Sequence, residues 1–360
     1  MNKRCKGCGA ILQYEYSDKL GYSPKHDADY CQRCFRISHY DDVTISMKTG
    51  IDPDTVLRKV SSLNALILWV VDLFDFEANL IAGLNRHLQG KTIVLVATKR
   101  DLLPETTGNQ KLADFMMQRL QDFGIAIAGL VICGDLVKHA FDKENHSLQE
   151  VEKAIGYYRE GRDVAVIGMA NAGKSTLLNG LLKKNTLTTS RHPGTTLDLV
   201  EMDMGDYTLY DTPGLTRKDS YLTVGDESLL KQLIPDRRLK ARSYQLYEDQ
   251  SLAVGGLARL DLLGGKKVTC VGYFAPSLKL HRGKALSADA LWHAHMGALL
   301  APSLSESFDS MKRFSYTKKS KEKLDVVIHG LGWFCISGDV KEIHIYVDQA
   351  VSVTFRKAMI

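Results

Sequence analysis

Residues 168–176, Gly168-Met169-Ala170-Asn171-Ala172-Gly173-Lys174-Ser175-Thr176, carry the residue types of a phosphate-binding site. An apolar run, "DVAVI", precedes them, and the helically spaced "LLNGLL" follows. Glycines at both ends of the loop let successive backbone N–H groups close around phosphate oxygens, and a helix beginning at the lysine adds its dipole. In this pattern Lys174 reaches the β- and γ-phosphates, while the Ser175 hydroxyl holds magnesium. Downstream, Thr195 and Thr196 sit in a loop where one of them could complete the magnesium shell once a γ-phosphate is present. Beyond them Asp211-Thr212-Pro213-Gly214 offers a carboxylate for a magnesium-bound water and a glycine N–H to sense the γ-phosphate. The expected catalytic set is therefore Lys174, Asn171, Thr196, Asp211 and Gly214.

A second constellation lies earlier in the chain. Thr98-Lys99-Arg100-Asp101 follows the apolar run "TIVLVA". A carboxylate at Asp101 could accept hydrogen bonds from N1 and N2 of guanine, which adenine cannot offer. The Lys99 stem would pack on the base, and Thr98 would tie this loop back to the phosphate loop. A site built on such bonds rejects the wrong base strongly, because its buried polar groups would be left unpaired. Cys133-Gly134, after a third apolar run, stands where a backbone contact to guanine O6 would fall.

Four of the seven cysteines form the pairs Cys5-x-x-Cys8 and Cys31-x-x-Cys34. Two such turns bring four thiolates to one tetrahedral ion, so this spacing points to structural zinc, which a segment too small for its own core needs. A redox pair would sit in a strand–helix context, which neither has. His39 could stand in as a ligand, but a lone histidine near a complete set of four cysteines reads as surface, while His293 and His295 lack a companion ligand set and read as structural.

The elements that must position these groups follow from hydrophobic periodicity. Near-continuous apolar runs at 65–72, 92–97 and 126–133 read as parallel strands buried on both faces. Helical spacing recurs at 80–89, 109–122 and 148–160, and alternation from Leu197 to Tyr210 reads as a hairpin turning at Gly205-Asp206. The order is thus base recognition first and phosphate loop second. The last third is mainly β, with short strands punctuated by glycine. The boundaries expected are 1–45 for a zinc-binding domain, 46–220 for the nucleotide-binding α/β domain and 221–360 for a β domain.

The formal charge of +5 is unevenly spread. Residues 226–360 carry 20 Lys/Arg and 14 Asp/Glu, a balance of +6, against 27 and 28 in the remainder. "KRFSYTKKSKEK" (312–323) interleaves Phe314 and Tyr316 with six Lys/Arg, a composition suited to phosphate contact and base stacking, or to a basic loop. No apolar run has the ~18 residues of a membrane span, and the first residues lack an apolar signal region, so a cytoplasmic protein without membrane attachment is expected.

Taken together, the tandem Cys-x-x-Cys, "VVDLFDF" (70–76), "TKRD" ahead of "GMANAGKST", then "PGTT" and "DTPG", resemble the YqeH family of circularly permuted ribosome-assembly GTPases. The resemblance implies a circularly permuted P-loop GTPase domain between an N-terminal zinc knuckle and a C-terminal β domain that binds RNA or peptide. It implies GTP/GDP, Mg2+ and Zn2+ as cofactors, and the small ribosomal subunit, its rRNA or ribosomal proteins as partners. Two departures stand out: Thr98 replaces the family's usual Asn, and Cys133-Gly134 replaces the usual Ser-Ala pair. Leu215 fills the slot of a water-orienting glutamine, so intrinsic hydrolysis should be slow. By resemblance to related GTPases, Asn171 could instead help bind K+ against the phosphates. The rival reading is a non-enzymatic RNA- or ribosome-binding adaptor with GTP as a structural ligand.

Overall fold

A computed structural model describes residues 3–5, 11–16, 21–32, 52–81, 83–134, 136, 146–184 and 199–360. Cys8, Cys34, His39, Thr195 and Thr196 lie outside the described residues. In chain order, α1 (Pro53–Ser62) leads into β1 (Ala65–Asp72) and β2 (Ile93–Thr98). Then come α2 (Asn109–Asp122), β3 (Gly129–Ile132), α3 (His146–Tyr158), β4 (Asp163–Gly168) and α4 (Lys174–Lys184). The hairpin strands β5 (Val200–Asp203) and β6 (Thr208–Asp211) are followed by α5 (Glu227–Leu233).

The described residues fall into two compact units. One draws on 1–72, 81–98 and 124–216, the other on 73–80, 99–123 and 217–360. The first unit is built on a six-stranded sheet of order β3-β2-β1-β4-β6-β5, parallel throughout except for β5. Every residue of β1 and β2 is buried, as expected of strands covered on both faces. From the β1–β4 pair, β2 and β3 wind outward on one side, and β6 and β5 lie on the other. The carboxyl ends at such a reversal form the crevice where open α/β sheets bind ligands. β4, which carries the phosphate loop, comes fourth in the chain yet is central in the sheet.

Two expected elements are shorter than their periodicity suggests. Among the described residues of 80–89 only Leu84–His87 is helical, bounded by Gly83 at φ 73° and Gly90 at φ 77°. The third strand pairs only over Gly129–Ile132, opposite Val94–Ala97 of β2.

The second unit contains α2, α5 and ten strands in two antiparallel five-stranded sheets. These strands are β7 (Arg242–Leu246), β8 (Gln250–Val254), β9 (Ala258–Leu263), β10 (Lys267–Phe274) and β11 (Leu280–Lys284). The rest are β12 (Met311–Thr317), β13 (Leu324–Ile328), β14 (Gly332–Asp339), β15 (Glu342–Asp348) and β16 (Val353–Lys357). The sheet orders are β16-β13-β14-β10-β7 and β11-β8-β9-β15-β12. Trp333 stacks on Tyr273 with ring centroids 4.9 Å apart, and Phe274 meets Phe334 edge-on at 4.7 Å. A Cβ at Gly332 would lie 2.3 Å from the Tyr273 carbonyl oxygen, so only glycine lets β14 approach β10 this closely. The first half of the basic stretch 312–323 is strand: β12 is a sheet edge, with Lys312 and Arg313 exposed along it. Among the described residues no helix is long and apolar enough to cross a membrane.

Candidate functional site

β4 ends at Gly168 against β1, where an added Cβ would sit 2.6 Å from the Val70 carbonyl oxygen. Glycine is therefore required for the strand to pass into the loop. Asn171 then takes the left-handed region at φ 63°, which asparagine tolerates better than most residues, and Gly173 follows at φ 87°. The reversals carry the backbone through Met169, Ala170 and Ala172 into α4, whose first residue is Lys174. Met169, Ala170 and Ala172 are buried, Asn171 and Thr176 are half-buried, and Ser175 is exposed at the helix start.

The Asp211-Thr-Pro-Gly loop is joined to this cradle by backbone. The Ala170 N–H donates to the Leu215 carbonyl at 2.7 Å, and the Leu215 N–H donates to the Gly168 carbonyl at 3.0 Å. Gly214 passes so close that its Cβ would lie 3.3 Å from the Ala170 Cα. The Thr212 hydroxyl fixes the other side, donating to the Val166 carbonyl at 2.8 Å. Lys174 is buried, and its ammonium pairs with the Asp211 carboxylate and donates to the Thr212 carbonyl at 2.5 Å. The lysine and the aspartate expected on either side of a phosphate–magnesium group thus meet each other. Leu215 is fully buried and has no polar group with which to orient water.

Thr98, the last residue of β2, lies under the loop. Its single hydroxyl proton faces the carbonyls of Ala172 at 2.6 Å and Val71 at 3.0 Å. The Gly173 backbone packs on it, an added Cβ there being 3.1 Å from Thr98 Oγ1. In the chain Lys99 follows with a left-handed backbone, φ 60°, and Asp101 lies in the 3-10 turn Arg100–Leu102. Cys133 is buried beyond β3, its N–H bonded to the Ala97 carbonyl at 2.7 Å, and burial pushes its thiol up to about 12. Gly134 is held by Ser147 in the first turn of α3, which accepts from the Gly134 N–H at 3.3 Å and donates to its carbonyl at 3.2 Å. Sequence reasoning missed Ser147, although a serine opening an amphipathic helix is the signal that could have found it. Two residues beyond Leu215, the Arg217 guanidinium forks onto Asp219 at 2.8 Å through both Nε and Nη2.

Near the N-terminus, Cys5 and Cys31 are buried and packed with Leu12 and half-buried Tyr14. The Cys31 N–H donates to Cys5 Sγ at 3.1 Å, which brings these two cysteines together. No cluster of three or more metal-ligating groups occurs among the described residues.

The cradle and its continuation define a GTP-hydrolysing enzyme, and comparison with known proteins agrees. Residues 163–250 match the family model described as 50S ribosome-binding GTPase, and residues 267–359 match YqeH-like, C-terminal. The chain is 34% identical over 371 residues to the uncharacterized protein YqeH of Bacillus subtilis (strain 168), covering 99% of each. It belongs to the YqeH family. It is also 26% identical over 394 residues to the Arabidopsis thaliana NO-associated protein 1, chloroplastic/mitochondrial, covering 92% of this chain and 69% of that protein. Over 124 residues it is 35% identical to the tRNA modification GTPase MnmE of Ruegeria sp., 33% of this chain and 27% of that protein.

Gly173→Ala puts a methyl group against Thr98 at a φ that costs other residues on the order of 1–3 kcal/mol. The expected result is loss of the GDP-induced rise in Tm. An undiminished rise would show that this loop does not hold the phosphates.

Proposed function

We propose that this GTPase is a nucleotide-driven switch acting in assembly of the small ribosomal subunit, with the phosphate loop as its trigger. The observation that carries the reading is the pair of backbone bonds joining Ala170 and Gly168 to Leu215. Whatever displaces the phosphate loop must act on Leu215, two residues before the chain enters the second unit at Arg217. Similarity over the whole length of a YqeH protein supports a single device that includes the C-terminal β region.

In this reading Gly168 to Thr176 bind the phosphates, and Lys174 leaves Asp211 for the β- and γ-phosphates. Bound magnesium supplies charge neutralisation, with Ser175, Thr196 and Asp211 as its ligands directly or through water, and Thr195 beside them. Thr98, Lys99 and Asp101 recognise guanine, assisted by Cys133-Gly134. The chain divides at about 45 and 220 into zinc-binding, circularly permuted GTPase and C-terminal domains, and it works in the cytoplasm. Exposed Lys312 and Arg313 on β12 support contact with rRNA phosphates or a ribosomal protein. Tyr316 is a poorer stacking platform than its sequence context suggests, because one face already stacks on Phe355 at 4.8 Å.

The matching GTPase family model is described by the 50S particle, whereas the reading favours the small subunit. Co-sedimentation with separated subunits, under GDP and under a non-hydrolysable GTP analogue, decides the matter. Nucleotide-dependent binding to the small subunit is expected; binding only to the large subunit, or none, would overturn it.

Cys5, Cys8, Cys31 and Cys34 hold structural zinc in this reading, supported by the N–H···S bond that brings Cys31 to Cys5. Metal analysis should find about one zinc per chain, lost in Cys31→Ser with a lowered Tm. Zinc-free protein of unchanged stability would exclude the site. Asn171, half-buried in its left-handed turn, is the expected K+ ligand, the ion supplying the positive charge that Arg217, held by Asp219, does not. Turnover should rise about tenfold or more on exchanging Na+ for K+, and equal rates would remove the idea.

A further inference from the structure

We propose that Glu77 and Arg119 are positioning residues for guanine recognition, and that Arg356 of the C-terminal strand β16 seats them. Base discrimination would then depend on the last strand of the chain. The inference rests on the reading of Asp101 as the guanine-binding carboxylate, and goes beyond it by assigning what holds Asp101 in place.

All the groups concerned lie in the second unit. Glu77 sits in the helical turn Phe76–Asn79 with its side chain 2% exposed. Its two oxygens receive the fork of Arg119 on α2, Nε to Oε1 at 2.9 Å and Nη2 to Oε2 at 3.0 Å. Oε1 also accepts from Nη1 of Arg356 at 3.1 Å. The remaining Arg356 nitrogens reach Asp325 Oδ2 at 3.4 and 3.3 Å, where the Met359 N–H also donates at 3.0 Å. The Arg356 guanidinium lies 4.7 Å from the ring centroid of Phe115, which is one helical turn before Arg119 on the same face of α2. Phe115 in turn meets Phe76 edge-on at 5.7 Å. Two carboxylates and two guanidiniums thus interlock the Phe76–Asn79 turn, α2, β13 and β16. Burial would push the Glu77 carboxyl up, but the Arg119 hydrogen bonds and the charges of Arg356 and Arg119 outweigh it and hold it below the ordinary range.

Such a buried tetrad is a poor means of gaining stability, since well-packed apolar residues often do as well. Its better use is to fix which surfaces meet. What it fixes here is the helix behind the base loop. Arg100, between Lys99 and Asp101, donates from Nε to Asn109 Oδ1 at 2.8 Å and from Nη2 to the Thr107 carbonyl, so the turn is fastened to the start of α2. On its other side the Leu102 carbonyl accepts from the Leu239 N–H at 2.8 Å, and Glu105 pairs with Arg238. Lys99 is held in a left-handed conformation that costs energy and persists only where its surroundings impose it. Placement of Asp101 therefore follows placement of α2, and α2 is seated through Glu77 on Arg356.

Inosine lacks the 2-amino group that Asp101 would bind, so the ratio of GDP to IDP affinity reports the placement of Asp101, and general loosening of the fold does not change it selectively. The ratio is measured on full-length wild type, Arg119→Lys and Arg356→Lys. Both variants keep the charge but lose the fork. Wild type should favour GDP by at least about tenfold, and each variant should lose most of that preference, with IDP affinity falling less than GDP affinity because hypoxanthine offers Asp101 only its N1–H. Unchanged ratios in the folded variants would overturn the inference while leaving the Asp101 reading intact. A wild type that binds both nucleotides equally would overturn both. Should Arg356→Lys fail to fold, Arg119→Lys decides alone, because Arg119 is 13% exposed and its lysine can reach solvent.

Discussion

The nucleotide site depends on how closely three stretches of backbone approach where β4 ends. At Gly168 the distance from a Cβ position to the Val70 carbonyl would be 2.6 Å, and at Gly214 the Ala170 Cα would be 3.3 Å away. A side chain at either position would push β4 from β1, or the Asp211 loop from the phosphate loop. With both absent, Ala170, Gly168 and Leu215 close a short parallel bridge. That bridge makes the phosphate loop and the loop after β6 mechanically one object.

The consequence of this union lies in the residues that follow. Past Leu215 the chain enters the β-rich unit and is fixed there at once. The Tyr221 N–H donates to the His329 carbonyl at 3.0 Å, and the Ser352 N–H donates to the Asp219 carbonyl at 3.0 Å. Gly330 lies so tightly against this segment that a Cβ there would be 2.4 Å from Ser220 Oγ. Arg217 donates to the carbonyls of Glu77 and Leu80 at 3.4 Å, beside the carboxylate that Arg119 and Arg356 share. Nucleotide chemistry at β4 and packing at β16 thus address neighbouring residues of one chain.

Much of this was legible in the sequence because periodicity and glycine placement carry local physics directly. β1 and α2 run over the residues that their patterns indicate, 65–72 and 109–122. Thr98 meets the Ala172 carbonyl as the motif suggests for that position. What could not be read was long-range pairing between charges. Glu77 and Arg356 are 279 residues apart, and each reads as a solvated surface charge when no partner is visible. The same limit hid the Lys174–Asp211 pair, because each residue has a separate role in the motif, and it hid the Tyr316–Phe355 stack, which only strand order brings together. The helix expected over 80–89 failed for a local reason, since Gly83 and Gly90 both adopt left-handed backbone and cut it to one turn.

Hydrogen exchange at the Tyr221 and Ser352 amides tests most directly whether the nucleotide state reaches the β-rich unit. These amides mark where the chain leaving Leu215 is bonded to His329 and Asp219. Coupling predicts that their protection differs by about tenfold or more between GDP and a non-hydrolysable GTP analogue, alongside changes in the phosphate loop. Identical protection in both states, with only the phosphate-loop amides responding, would contradict it.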